Sequence, residues 1–325
     1  MVQLLKVHGS ENQFFIFDQT QLNQQLTDEE LSKLGIKLCD PKNNILNGAD
    51  GVLVVNDATD NALAQMRVIN ADGSEAKMCG NGLRTVSRYL SEKFNETDFN
   101  IQTIGADLEV KKSADLADGV PAFSVQIKPI SFAAKDLPFS YQNMSEMINE
   151  KVPEFLPAQT FTSIAVPNPH LISFLDKINE KELGQLGKYL NSPNEYFPEG
   201  VNVSFAEILG KNKLFVQTYE RGVGFTNACG TGMSATSLAF AMLHPNDFDE
   251  TKDISVYNPG GMVKTHVTLE NTKEEANIHL IGNATFTDTL DISEADFHKL
   301  DFDKFDIKST GEEAKYQAFV DAFVK

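Results

Sequence analysis

The chain has 325 residues, 41% apolar and 23% charged, which is ordinary globular composition and material for about two domains with cores of their own. Forty-six acidic against 28 basic residues leave a formal charge of −18, which argues against nucleic acid or an anionic membrane surface as the main partner. No apolar run approaches the roughly 18 residues of a membrane span. The start lacks a signal-peptide pattern, and three cysteines (Cys39, Cys79, Cys229) do not make a disulfide scaffold, so a cytoplasmic protein with reduced thiols is expected.

Alternation predicts strands at 4–7 and 14–17, with polar residues 9–13 as a loop or turn between them. A helix is expected over 20–37, with Thr27 as N-cap and Glu30 at its third position. A polar loop at 40–50 leads to a buried strand at 52–55, and a strand at 66–70 ends in the turn 71–73. A second helix should begin near Asn81 and run through Leu90, followed by strands at 99–104, 107–112 and 122–129. Residues 131–160 are mixed and carry Pro138, Pro153 and Pro157, which places a domain boundary near 130. Strands are expected at 162–166, 171–175, 201–208 and 213–219. A helix over 231–243 stops before Pro245, strands follow at 254–257, 262–269 and 277–282, and the tail 311–325 reads as an amphipathic helix.

One long-range echo stands out. Residues 78–90 read MCGNGLRTVSRYL and residues 228–240 read ACGTGMSATSLAF, with the two cysteines 150 residues apart. The Cys, both Gly, a Ser eight residues on (Ser87, Ser237) and the following helical segment agree in register, which favours a duplicated α/β unit over chance. Glycines just ahead of a helix let backbone N–H groups approach a ligand. The first turn also has unpaired donors and the positive end of the helix dipole, which suit a carboxylate or phosphate. The same field favours the thiolate of a cysteine placed there. Two such sites, one on each side of a carbon with an acidic C–H, would remove a proton from one face and return one to the other. Donors aimed at the carboxylate would stabilise the charge that develops there. In principle that chemistry needs no metal or cofactor. There is no Walker A loop and no Cys-x-x-Cys or Cys/His cluster, and the six histidines are scattered. A Cys nucleophile with His170 as base would leave the second Cys-Gly-x-Gly unexplained.

These residues resemble the diaminopimelate epimerase family. The resemblance rests on His8-Gly9 with Asn12 and Phe14, Gly48-Ala49-Asp50-Gly51, and Asn70-Ala71-Asp72-Gly73-Ser74-Glu75 leading into Met78-Cys79-Gly80-Asn81-Gly82. It continues through Asn168-Pro169-His170, Val201-Asn202, Tyr219-Glu220-Arg221-Gly222 and Ala228-Cys229-Gly230-Thr231-Gly232, in the family's order. It implies two pseudo-symmetric mixed α/β domains, each with a central helix partly wrapped by strands, and an active site in the cleft between them. The halves would be 1–130, joined by a returning C-terminal segment 284–325, and 131–283. It implies Cys79 and Cys229 as alternating acid and base, with His170 and Glu220 tuning the thiols. It implies that Gly80, Asn81, Gly230 and Thr231 hold the carboxylate and that Asn12 binds the reacting end. Asn70, Asn168, Asn202 and Arg221 would grip the distal amino-acid group, and Glu220 would also contact substrate. An arginine suits a bidentate contact with a second carboxylate.

The implied activity is interconversion of LL- and meso-diaminopimelate, in lysine and peptidoglycan precursor synthesis, by a cytoplasmic homodimer without cofactor or metal. A racemase of another amino acid such as histidine is the alternative on the same fold, and the retained distal set favours diaminopimelate. A hydroxyproline-type epimerase or dehydratase fits less well. A carboxylate-binding protein or a thiol redox sensor is the non-enzymatic alternative. Departures from the family pattern are Ser10-Glu11 in the first turn, Gly51, and Phe225 where Glu is common. Cys39 fits no motif and reads as structural. Extra length around 131–160, in 181–200 and after 292 reads as peripheral decoration.

Overall fold

The computed structural model describes residues 1–43, 45–59, 61–302 and 305–322. In chain order its strands and helices begin with β1 (Val2–Gly9), β2 (Asn12–Asp18), α1 (Asp28–Cys39), β3 (Gly51–Asn56), β4 (Ala64–Asn70), β5 (Glu75–Ala76) and α2 (Gly80–Phe94). Then come β6 (Asp98–Gln102), β7 (Asp107–Ala117), β8 (Val120–Gln126), β9 (Glu150–Lys151), β10 (Thr160–Ala165), β11 (Pro169–Phe174) and α3 (Glu180–Leu190). They continue with β12 (Asn202–Gly210), β13 (Lys213–Glu220), β14 (Gly224–Phe225), α4 (Gly230–Leu243), β15 (Ile254–Asn258), β16 (Gly261–Thr268) and β17 (Asn277–Asn283). The last are β18 (Thr285–Ile292), α5 (Glu294–His298), β19 (Asp306–Ser309) and α6 (Glu312–Asp321). The chain divides into two units, one of Met1–Val125 with residues 281–322 and one of Gln126–Leu280. The first unit therefore closes at Val125, where the sequence placed a boundary near 130.

The two units are wound in the same way. In the first, β1 and β2 pair antiparallel, β2 runs parallel to β3, β3 antiparallel to β4, and β4 parallel to β6. In the second, β10 and β11 pair antiparallel, β11 runs parallel to β12, β12 antiparallel to β13, and β13 parallel to β15. Parallel neighbours require a crossover. In each unit the first crossover carries an outer helix (α1 or α3) and the second carries the helix that follows a Cys-Gly-x-Gly (α2 or α4). A two-residue strand, β5 or β14, folds back on β4 or β13 just ahead of each cysteine. β18 returns to pair antiparallel with β1.

The outer helices are amphipathic and capped. The Thr27 hydroxyl accepts from the Glu30 N–H at 3.3 Å, and the Glu30 carboxylate accepts from the Thr27 N–H at 2.8 Å. Asn179 caps α3 by accepting from the N–H groups of Lys181 and Glu182. Leu31, Leu34 and Leu38 bury one face of α1, and Leu183, Leu186 and Leu190 bury the matching face of α3. The inner helices are buried almost all round. α2 packs on β1, β2, β3, β4 and β7, and α4 on β10, β11, β12, β13, β15 and β16. All-round burial suits the uncharged sequence of α4, whereas α2 carries Arg84 and Arg88 into its buried surface.

The structure differs from the sequence reading in four places. The helix expected from residue 20 starts at Asp28. Residues 19–21 form a single 3-10 turn, and Asn23 is tied by its backbone N–H and side chain to Glu294, both at 2.7 Å. The strand expected to reach 129 ends at Gln126. The segment 181–200, read as surplus, contains α3, the crossover helix of the second unit. The other two extra segments also build core. Leu137, Phe139, Met147, Val152 and Phe155 pack in one cluster with the α3 leucines, and Phe297 and Phe302 join the α1 leucines in another. The last three residues of the expected tail helix lie outside the described residues. Among the described residues no helix is long and apolar enough to cross a membrane.

Candidate active site

Each unit presents a cysteine at the N-cap of its inner helix. In the first unit Cys79 caps α2, and its sulfur accepts the Gly82 N–H at 3.4 Å. In the second, Cys229 caps α4 and lies 3.7 Å from the Thr231 hydroxyl. The next glycine of each motif is a steric necessity. A Cβ on Gly82 would stand 2.7 Å from Leu53 and 3.5 Å from the Cys79 sulfur. One on Gly232 would stand 3.1 Å from the Cys229 sulfur and 3.0 Å from the Thr218 hydroxyl. The first N–H groups of both helices have no carbonyl a turn below them, so Gly80, Asn81, Gly230 and Thr231 offer donors beside each thiol.

Around Cys79 the first unit builds a polar relay. Residues 10 and 11 form a two-residue turn between β1 and β2, with Ser10 at φ 53° and Glu11 at φ 65°. Both lie in the left-handed region that non-glycine residues seldom occupy. The turn sets Asn12 at the start of β2, where its Oδ1 stands 3.8 Å from the Cys79 sulfur and accepts from Asn81 Nδ2 at 3.3 Å. Asn12 Nδ2 donates to Asp50 at 2.6 Å, and the same carboxylate accepts the Gln13 N–H. Asn70, at the end of β4, donates its side-chain amide to the Ser74 hydroxyl within its own turn.

The second unit surrounds Cys229 differently. The cysteine is 6% exposed, and burial drives its thiol pKa well above the ordinary value. The half-buried Glu220 carboxyl beside it, hydrogen-bonded to both Cys229 and the Thr226 hydroxyl, pushes in the same direction. Burial also raises the pKa of Glu220 itself. We expect Glu220→Gln to shift the pH profile of Cys229 alkylation to lower pH, because the neutral amide removes a like charge. A peptide-resolved alkylation series checks this, and an upward shift would overturn it.

His170, Asn168, Asn202 and Arg221 gather in the same unit. His170 is fully buried on β11. Its Nε2 meets Asn168 Oδ1 at 3.2 Å and its Nδ1 has no partner among the described residues. Burial, helped by the nearby Arg221 charge, pushes its pKa down to about 3, so it is neutral at physiological pH. No hydrogen bond joins it to Cys229. Asn202 bridges the Pro169 carbonyl and the Arg221 N–H, and so orders the turn that carries Arg221. Arg221 is exposed and its guanidinium touches only the Glu199 carbonyl, with no carboxylate partner among the described residues. Phe225, a departure from the family pattern, stacks edge-on against Tyr219 with centroids 5.4 Å apart and abuts α3 at Gly184. It anchors the β13–β14 hairpin that presents Glu220.

Sequence reasoning missed several residues of these half-sites. Asp50 was quoted only as part of a motif, and Thr226 and Ser10 carried no signal beyond hydroxyl character. Ser87 and Ser237 are helix-packing residues, bonded to the Leu83 carbonyl and the Thr265 hydroxyl. Cys39 is buried and its thiol is pushed up to about 12, which suits an inert core residue.

The sequence matches the diaminopimelate epimerase family over residues 4–120 and 162–287. The chain belongs to that family. Proteins named diaminopimelate epimerase from Ligilactobacillus salivarius and Enterococcus faecalis are 52% and 49% identical to it, each over 98% of both chains. Among solved structures, a Bacillus anthracis phenazine biosynthesis protein of the PhzF family aligns with a TM-score of 0.61 at 16% identity, covering 90% of this chain and 99% of its own. A probable proline racemase from Agrobacterium radiobacter aligns at 0.57 and 15% identity, covering 91% and 94%. These share the mixed α/β fold. Residues 121–161 and the tail after 287 fall outside the family match, yet both contribute the core residues described above.

Proposed function

We infer that the chain is an isomerase, a diaminopimelate epimerase that interconverts LL- and meso-2,6-diaminopimelate in lysine and peptidoglycan precursor synthesis. The observation that carries this reading is the pair of thiols, each at the N-cap of a buried helix in like-wound units of a chain about half identical to named diaminopimelate epimerases. In the mechanism we propose, the thiolate of one cysteine takes the α-proton and becomes a thiol. The thiol of the other delivers a proton to the opposite face and becomes a thiolate. The chemistry therefore requires one cysteine on each side of the reacting carbon. The carboxylate on that carbon is held by the first-turn donors of the helices, which stabilise the charge that spreads onto it as the C–H bond breaks. Asn12 binds the reacting end beside Cys79. Glu220 holds the Cys229 proton in place, and His170 is assigned to tuning the other thiol.

The distal end of the substrate carries a second carboxylate and amine. Arg221, exposed and without a carboxylate partner among the described residues, is the group we assign to that carboxylate, with Asn70, Asn168 and Asn202 shaping the rest. The same reading takes the protein to be a cytoplasmic homodimer, and sedimentation at micromolar concentration tests the assembly. The reaction itself is tested by Cα hydrogen exchange in D₂O, followed by proton NMR, with LL-diaminopimelate and a panel of L-amino acids. Exchange with inversion of diaminopimelate alone is expected. Exchange of histidine or another amino acid instead would overturn the substrate, and no exchange under reducing conditions would overturn catalysis.

A further inference from the structure

Arg84 lies five residues after Cys79 on α2 and is fully buried. No carboxylate pairs with its guanidinium among the described residues. Nε donates to the Asn283 carbonyl at 3.2 Å, Nη1 to Asn81 Oδ1 at 3.0 Å and Nη2 to the Ser10 hydroxyl at 3.0 Å. All three acceptors are neutral. The slot is built for this group, because a Cβ on Gly9 would stand 2.9 Å from Nη2 and one on Gly282 would stand 2.8 Å from Nε. Burial lowers its pKa to about 10, which still leaves a cation at neutral pH. The two groups whose negative charge would favour that cation are Tyr316 and Cys79. Tyr316 is itself pushed far up by burial and stays neutral, so Cys79 is the counter-ion within reach.

His8 on β1 is bonded to Glu313 of α6 at 2.9 Å. Asp50, ahead of β3, is taken up by Asn12 and the Gln13 N–H, and Asn12 Oδ1 faces the sulfur as an acceptor. Glu11 sits in the turn, with its N–H on His8 Nδ1. Among the described residues of the second unit no arginine takes the matching place. Five residues after Cys229 stands Ser234, bonded to the Gly230 carbonyl, and the charged group that acts on Cys229 is the Glu220 carboxyl.

We propose that Arg84 is a positioning residue that makes Cys79 the more acidic of the two thiols, so that the resting enzyme holds its thiolate at Cys79 and its proton at Cys229. Arg84 touches neither substrate nor reacting atoms. It acts by its charge, held in place by the Asn81 amide, and must outweigh Asn12 Oδ1, which as an acceptor favours the protonated thiol. This assignment rests on the two-thiol reading above and adds a direction to it, since the isomer whose α-hydrogen faces Cys79 is processed by the resting form.

The test is the pH dependence of iodoacetamide alkylation at each cysteine, resolved by peptide mass spectrometry in the full chain under reducing conditions. Each rate is normalised to its own high-pH limit, which removes the difference in exposure. At neutral pH the normalised rate of Cys79 should exceed that of Cys229 by about tenfold or more. Arg84→Met should lower the normalised Cys79 rate about tenfold and leave Cys229 unmoved, while Arg84→Lys, which keeps the charge, should retain most of it. Circular dichroism reports whether each variant is folded. If Arg84→Met does not fold, the order of the two thiols in the native chain and the Arg84→Gln profile decide. Cys229 titrating first, or a folded Arg84→Met or Arg84→Gln with an unchanged Cys79 profile, overturns the proposal. Turnover enters neither readout, so a failure here is distinct from a failure of the diaminopimelate assay.

Discussion

Replacing Cys79 or Cys229 by alanine is expected to lower kcat/KM for diaminopimelate inversion by about 10³-fold or more, because each removes a general acid/base that no neighbour supplies. Neither change should unfold the chain. Cys79 contributes an N-cap contact to the Gly82 N–H, worth about 1 kcal/mol. Cys229 is buried, and losing its sulfur leaves only a small void, about 1 kcal/mol or a little more. The two variants should nonetheless differ from each other. A chain with Cys79 alone keeps the thiol that Arg84 favours as thiolate, and should still wash out the α-hydrogen presented to it, without inversion. A chain with Cys229 alone keeps a thiol that burial and Glu220 hold protonated, and should wash out more slowly at neutral pH. Proton NMR in D₂O separates exchange from inversion. Inversion within tenfold of the native rate in either variant would rule out a two-thiol reaction.

The parts of this architecture that follow from local pattern were legible in the sequence. The capping box of Thr27 and Glu30 announced α1, and the echo of 78–90 and 228–240 announced two helices with cysteines at their caps. What the echo could not convey is how each cap is surrounded. Beside the first cysteine stands Asn12, itself held by Asp50, and the Arg84 of the same helix is held by Asn283, all far apart in the chain. Arg84 and Arg88 illustrate the limit. In LRTVSRYL neither arginine carries a signal of burial, since a charged residue is rarely buried without a partner. Only the tertiary fold, with glycines on two strands clearing a slot, puts Arg84 inside. The difference was nonetheless written in the echo, where Arg84 aligns with Ser234 and Arg88 with Leu238. The helix α3 was a plainer omission. Asn179 followed by leucines at 183, 186 and 190 carries the same cap and spacing as α1, but treating 181–200 as an insertion hid the second crossover that duplication demands.

The tail segment after 292 bears on α2 directly, and Glu312→Gln is expected to lower the unfolding free energy by about 1.5–3 kcal/mol. Arg88 is 10% exposed and Glu312 is 22% exposed, and their side chains meet through two hydrogen bonds of 2.6 and 2.7 Å. The guanidinium also donates to the Ala284 carbonyl and lies over the Phe286 ring at 4.0 Å, while Glu312 accepts the Phe286 N–H. Removing the carboxylate therefore leaves the largely buried Arg88 cation with the more exposed Glu92, at 2.7 Å, as its remaining ionic partner, and loosens the start of α6, whose Tyr316, Phe319 and Val320 are buried. About two and a half turns from Arg88, at the start of the same helix, Cys79 should keep its alkylation profile, since the Arg84 slot does not include Glu312. Urea unfolding midpoints for Glu312→Gln, Arg88→Met and the pair measure the coupling. The double variant should recover part of the loss, because removing both charges leaves nothing buried and unpaired. A change below about 0.5 kcal/mol for Glu312→Gln would return the tail to the status of surface decoration. The expected loss instead makes α6 a structural part of the first unit, clamped to the helix that Cys79 caps.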